Sequence, residues 1–167
     1  EEVITTTTTS PLDIVLVLDR SGSMNDDGKL NSMKNAVNSF IDSVANSANA
    51  EKHRIGIVTF ASEASSYAGL TYMNQQDAAD LEDKVDDIWA RGATRVDYGL
   101  SEAKDMLDQV PADRNSEKVV IVFTDGEPTS GSSFENKVAA AAINNAHDLK
   151  ADSTTVYTIG MFSEANP

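Results

Sequence analysis

The sequence predicts a three-layer, doubly wound α/β domain of Rossmann-like type. Its central sheet should be mostly parallel, with one antiparallel edge strand and helices on both faces. Three observations predict this. The runs Ile14-Val15-Leu16-Val17-Leu18 and Val119-Val120-Ile121-Val122-Phe123 are apolar at every position, as strands buried on both faces of a parallel sheet are. Each run ends abruptly in an acid, at Asp19 and at Thr124-Asp125, and the chain then turns through small or polar residues. Between and after the runs lie longer segments with apolar residues at helical spacing, and such alternation builds a layered sheet.

Residues 1–11, with Thr5 to Thr9 unbroken, read as a Thr-rich, low-complexity linker ahead of a domain over 12–167. The competing reading is an edge segment, since Thr favours strands. Strand one falls at about 13–19, and helix one at about 29–48 carries Leu30, Met33, Val37, Phe40, Ile41 and Val44 on one face. Strand two is expected at about 54–61, and a shorter strand at about 66–72 returns antiparallel at the sheet edge. A helix at about 77–90 turns Leu81, Val85 and Ile88 inward, and another at about 96–109 carries Leu100, Ala103, Met106 and Leu107. Strand four at about 118–124, a helix at about 133–150 and strand five at about 154–160 complete the pattern.

The 167 residues suffice for one substantial core, and 40% apolar with 24% charged is ordinary globular usage. A net charge of −14 argues against nucleic acid and against charge-driven binding to acidic membranes. No apolar run approaches the ~20 residues that span a bilayer, so direct membrane insertion is not expected. Nor is there a signal-peptide pattern; in a secreted protein, targeting and anchoring segments would lie outside this sequence. The absence of cysteine excludes disulfides, zinc–thiolate sites and a cysteine nucleophile, and leaves the compartment open.

The loop after strand one, Asp19-Arg20-Ser21-Gly22-Ser23-Met24, carries one carboxylate and two hydroxyls at alternating positions. Three oxygens so spaced can converge on one hard cation, and Gly22 lets the backbone come close. The same residues also make ordinary turns. Two further segments favour the metal reading. Gly92-Ala93-Thr94 is a small-residue loop ending in a hydroxyl ahead of a helix, and Asp125 ends a second buried strand. In a doubly wound sheet both acids then reach the carboxyl edge, where such sheets bind ligands.

Asp19-x-Ser21-x-Ser23, Thr94 within Gly92-Ala93-Thr94-x-x-x-x-Gly99-Leu100, and Thr124-Asp125-Gly126 together resemble the von Willebrand factor A domain with its metal-ion-dependent adhesion site. The resemblance runs from about Leu12 to Met161. Its flavour is that of Gram-positive surface and pilus-tip proteins, on Asp19 to Met24 and on Val156-Tyr157-Thr158-Ile159-Gly160-Met161-Phe162. It implies that Ser21 and Ser23 ligate Mg²⁺ or Mn²⁺ directly and that Thr94 does so directly or through water. Asp19 and Asp125 would hold coordinating waters. The implied function is adhesion: a protein ligand, such as a host or matrix protein, presents an Asp or Glu carboxylate to the ion. The implied location is extracellular, on a bacterial surface; a cytoplasmic scaffold partnered with an ATPase is the alternative. The family continues past strand five with an edge strand and a last helix, so with Pro167 as the final residue both are expected to be missing and strand five to be a bare edge.

The chemistry of such a site stands without the family. Mg²⁺ prefers six oxygens and gives up water reluctantly. Neutral hydroxyls and outer carboxylates leave much of its charge unneutralised, so an open position favours an anionic oxygen. Around this centre, Asp26 and Asp27 either bind a second, adjacent Ca²⁺, as in the similar integrin β-subunit pattern, or cap helix one. Asp97 reads as the cap of the helix after Thr94. Arg20, Arg91 and Arg95 fall in loops flanking the site, where Arg20 and Arg95 in particular can steer an acidic ligand. His53 and His147 read as surface histidines. No nucleotide-binding or nucleophile-elbow motif is present. An Asp19/Asp125 phosphotransferase or hydrolase would want further acids in place of Ser21 and Ser23.

Overall fold

The computed structural model describes residues 11–125, 129–130, 133–134 and 154–160. Its strands are β1 (Leu12–Asp19), β2 (Arg54–Phe60), β3 (Ala64–Tyr72), β4 (Glu117–Thr124), the short β5 (Thr129–Ser130) and β6 (Ser133–Phe134), and β7 (Thr155–Gly160). Five of them form one sheet in the order β3-β2-β1-β4-β7, parallel except for the antiparallel β2–β3 pair. β5 and β6 make a separate antiparallel pair. The helices are α1 (Lys29–Ala45), α2 (Gln75–Asp86) and α3 (Val96–Asp108).

β1 explains the layering. Its side chains alternate across the pleat. Ile14, Leu16 and Leu18 enter a core with Met33, Val37 and Ile41 of α1 and with Leu81 and Val85 of α2. Val15 and Val17 enter a second core with Leu100, Ala103 and Leu107 of α3. An uninterrupted apolar strand is what two such cores require. On the second face α3 lies very close to the sheet: a Cβ on Gly99 would come within 2.8 Å of Phe60 and 2.9 Å of Val17.

The predicted fold class and the strand and helix order are those observed across the described residues. Boundaries shift slightly. α1 ends at Ala45, and α2 ends at Asp86, although Ile88 beyond it is still buried. The helix expected over about 133–150 lies outside the described residues, apart from Ser133–Phe134, which are strand. Among the described residues β7 is the outer strand beside β4, with Tyr157 56% and Ile159 42% exposed.

The amino end of the sheet is tied by one buried acid. Asp13, fully buried, accepts from Arg54 Nε at 2.8 Å, from Arg114 Nε at 2.9 Å and from Ser116 Oγ at 2.5 Å. Burial alone would raise its carboxyl, but these donors outweigh it and hold the pKa at about 2. Both guanidiniums also face the Tyr72 ring, at 5.7 and 5.5 Å. His53 belongs to the same end and is not a surface residue: it is 3% exposed, and its Nδ1 accepts from the Leu12 N–H at 3.1 Å. It is buried because the turn Ala50–Lys52 delivers it beneath the start of β1.

Candidate metal centre

β2 and β3 lie on one side of β1, while β4 and β7 lie on the other, so the winding reverses between β1 and β4. The carboxyl ends of two such strands diverge and leave a crevice. Because Leu18 pairs with Phe123, the next residues, Asp19 and Thr124-Asp125, meet at that crevice. Asp19 is fully buried. One of its oxygens accepts from the Ser21 N–H at 2.8 Å; the other accepts from Thr124 Oγ1 at 3.0 Å and from the Asp125 N–H at 3.3 Å. Ser21 Oγ lies 3.2 Å from Ser23 Oγ, and Ser23 Oγ donates to the Asp125 carboxylate.

Thr94 arrives on a third segment. The Gly22 N–H donates to the Gly92 carbonyl at 2.9 Å, the Ala93 N–H to Ser62 Oγ at 3.0 Å and the Arg95 N–H to the Ala61 carbonyl at 2.9 Å. These bonds dock the 92–95 loop against the Ser21-Gly22 turn and bury Thr94 to 3% exposure. The glycine that makes this possible is Gly92. Its φ is +91°, and a Cβ there would stand 2.8 Å from Ser62 Oγ. Gly22, expected to serve close approach, would meet only an ordinary contact of 3.5 Å.

Electrostatically the centre is an anionic pair short of cations. Burial pushes the Asp19 carboxyl above its ordinary value, and the nearby charge of Asp125 adds to it, against the hydrogen bonds from Ser21 and Thr124. Lys29, at the first position of α1, holds its ammonium 3.9 Å from Asp125. Among the described residues there is no cluster of three or more His, Cys, Asp or Glu side chains of the kind that encloses a metal. The donors gathered here are instead two carboxylates and hydroxyls. An all-oxygen set of low charge fits a hard divalent cation and not a soft one.

The flanking residues are placed differently from the expectations. Gly28, with φ +69° and no side-chain cap, precedes α1, so Asp26 and Asp27 do not cap it; both are exposed, and Asp27 takes a left-handed φ of 52°. Asp97 is not a cap either. It sits in the first turn of α3 and receives both arms of Arg95, at 3.0 and 2.7 Å, while Arg95 stacks on Tyr98 at 3.9 Å. Arg95 is thus neutralised by its own helix. Arg20 and Arg91 instead face the ring of Trp89, at 5.5 and 4.7 Å. Lys29, Thr124 and Trp89 went unassigned in the sequence. Only Thr124, adjacent to an already suspected acid, carried a readable signal.

The model of the von Willebrand factor type A domain matches residues 13–167. The chain belongs to that family. A curated relative, the uncharacterized protein YwmC of Bacillus subtilis, is 30% identical over 90% of this chain, which spans 66% of that protein. Among solved structures, the pilus adhesin SpaC of Lactobacillus rhamnosus GG in its open conformation superposes with a TM-score of 0.76 at 20% identity, over 92% of this chain and 24% of SpaC. The vWF domain of the type V pili tip protein Mfa5 from Porphyromonas gingivalis gives 0.76 at 18% identity, over 91% of this chain and 81% of that one. At these identities the structural likeness establishes the fold, and the domain family is one of protein-interaction modules. Among the described residues no helix is long and apolar enough to cross a membrane.

Proposed function

We propose that this domain is a metal-dependent adhesion module on a bacterial surface protein, capturing an Asp or Glu side chain of a partner such as a host or matrix protein. The observation that carries the reading is the Asp19–Ser21–Ser23–Asp125 cluster at the winding reversal, where two acids and two hydroxyls converge and Lys29 stands at 3.9 Å. Ser21, Ser23 and Thr94 would hold Mg²⁺ or Mn²⁺ through neutral oxygens. Asp19 and Asp125 would accept hydrogen bonds from its waters. The bound ion would supply an open position for an anionic oxygen. Asp19 stays oriented because Ser21 and Thr124 fix both of its oxygens, at 2.8 and 3.0 Å. The exposed Asp26 and Asp27 would serve an adjacent Ca²⁺. Similarity to the pilus proteins SpaC and Mfa5 supports the surface setting.

Calorimetry with Mg²⁺ or Mn²⁺ tests the centre. Saturable heat is expected for the wild type and not for Ser21→Ala/Ser23→Ala. Equal binding by both proteins would sink the assignment.

A further inference from the structure

We propose that Arg20, Arg91 and Trp89 form a second anchoring surface, which takes an acidic segment of the partner protein beside the metal centre. The proposal rests on the adhesion reading for its setting, but its chemistry is separate. Trp89, the sole tryptophan of the chain, is 56% exposed, and the guanidiniums of Arg20 and Arg91 lie over its ring at 5.5 and 4.7 Å. The backbone holds the platform together: the Arg91 N–H donates to the Arg20 carbonyl at 2.8 Å, and the Arg20 N–H to the Phe60 carbonyl at 2.9 Å. A groove of ≈ 230 Å³ is lined by Arg20, Tyr67, Trp89 and, with opposite charge, Asp87, so it suits an uncharged or basic side chain next to an acid bound on the guanidiniums.

Charge decides the occupant. The chain has 27 acids for 13 lysines and arginines, and three of its five arginines are paired with a carboxylate. Arg54 and Arg114 share Asp13, and Arg95 chelates Asp97. Arg20 and Arg91, both set against a single ring, make no ion pair among the described residues. Cation–π stacking pre-orients two bidentate donors, which lowers the entropy lost when carboxylates dock. Trp and Arg are also the residues that most often dominate protein interfaces. Since Arg20 lies between Asp19 and Ser21, a partner with two neighbouring acids can place one at the metal centre and the other on the platform.

Trp89 emission reads the platform directly. The chain is titrated with a hexa-aspartate peptide and with hexa-asparagine, in EDTA and in Mg²⁺. In EDTA, hexa-aspartate is expected to change the emission saturably and to bind about tenfold more weakly when NaCl rises from about 0.05 to about 0.5 M. Hexa-asparagine should do nothing. Arg91→Gln, on an exposed side chain, should weaken the binding about tenfold, and Arg20→Gln/Arg91→Gln should abolish it. Ser21→Ala/Ser23→Ala should lose only the tightening that Mg²⁺ brings. If wild type shows no Mg²⁺ tightening while the arginine variants still lose binding, the metal reading fails and the platform stands. Equal affinity in Arg20→Gln/Arg91→Gln would overturn the platform. So would a sulfated heparin fragment that shifts the emission where hexa-aspartate does not, since the surface would then be one for glycans.

Discussion

Lys29 stands with its ammonium 3.9 Å from the carboxylate of Asp125, at the same acid that receives the Ser23 hydroxyl. A fixed cation there offsets part of the repulsion between Asp19 and Asp125 and opposes any second cation entering the crevice. Lys29→Met keeps the aliphatic stem and removes the charge. It is expected to tighten Mg²⁺ binding by about three- to tenfold in calorimetry. Unchanged or weaker binding would show that the lysine does not compete.

The centre should also be visible as stability. A ligand that binds only the folded state stabilises it by about 2.7 kcal/mol at a hundredfold excess over Kd. In a domain of this size that is a shift of roughly 5–10 °C in Tm. Calorimetric scans with Mg²⁺ and with EDTA should differ by that order in wild type, and should superpose in Ser21→Ala/Ser23→Ala.

Asp13 predicts an acid limb. Its folded pKa of about 2 lies below the ordinary 3.8, so the unfolded chain takes up the proton first. The stabilisation is therefore complete above about pH 4 and is lost as pH falls through about 2, and amounts to about 2 kcal/mol. Asp13→Asn leaves Arg54 and Arg114 without their counter-charge and should cost about 3–5 kcal/mol in urea unfolding at neutral pH. The variant should also show a flatter loss of stability between about pH 4 and 2. An acid limb as steep as in wild type would place its origin elsewhere.

Gly99 and Gly92 should fail in different ways. Gly99→Ala drives a methyl against Phe60 and Val17 and should cost about 1–3 kcal/mol of stability, with metal affinity little changed. Gly92→Ala meets Ser62 at a φ of +91° and should displace the loop that carries Thr94. Its loss in Mg²⁺ binding should exceed its loss in stability. The reverse ranking, read from calorimetry and urea unfolding together, would contradict both assignments.

The sheet and its helices were legible because burial on two faces leaves an unambiguous mark: Ile14–Leu18 of β1 and Val119–Phe123 of β4 are apolar at every position. The convergence of Asp19 and Asp125 followed from the same runs, since each acid ends a strand and adjacent parallel strands end together. Polar detail was less legible. The capping roles expected of Asp26, Asp27 and Asp97 depend on where a helix begins to within one residue, and Gly28 and Arg95 took those positions. His53 looked solvated because nothing local shows that Leu12, 41 residues earlier, will need its nitrogen. The Trp89 platform joins two loops far apart in sequence, and no spacing rule connects them.

The knot around Asp13 and the crevice at Asp19 occupy opposite ends of one strand, eight residues long, or about 26 Å. Tension applied between a captured ligand and the segment leading into Leu12 would run lengthwise through β1. That strand is paired in parallel on both sides, to β2 and to β4, over seven residue pairs each. The rungs of both ladders lie across the direction of pull, so they are loaded in shear and together, not peeled one after another. With Asp13 clasped by arginines from β2 and from the Ala112–Arg114 turn, the loaded end is braced where fraying would start. In the proposed adhesion module, β1 would thus act as a tie-rod between the ligand site and the segment that precedes Leu12.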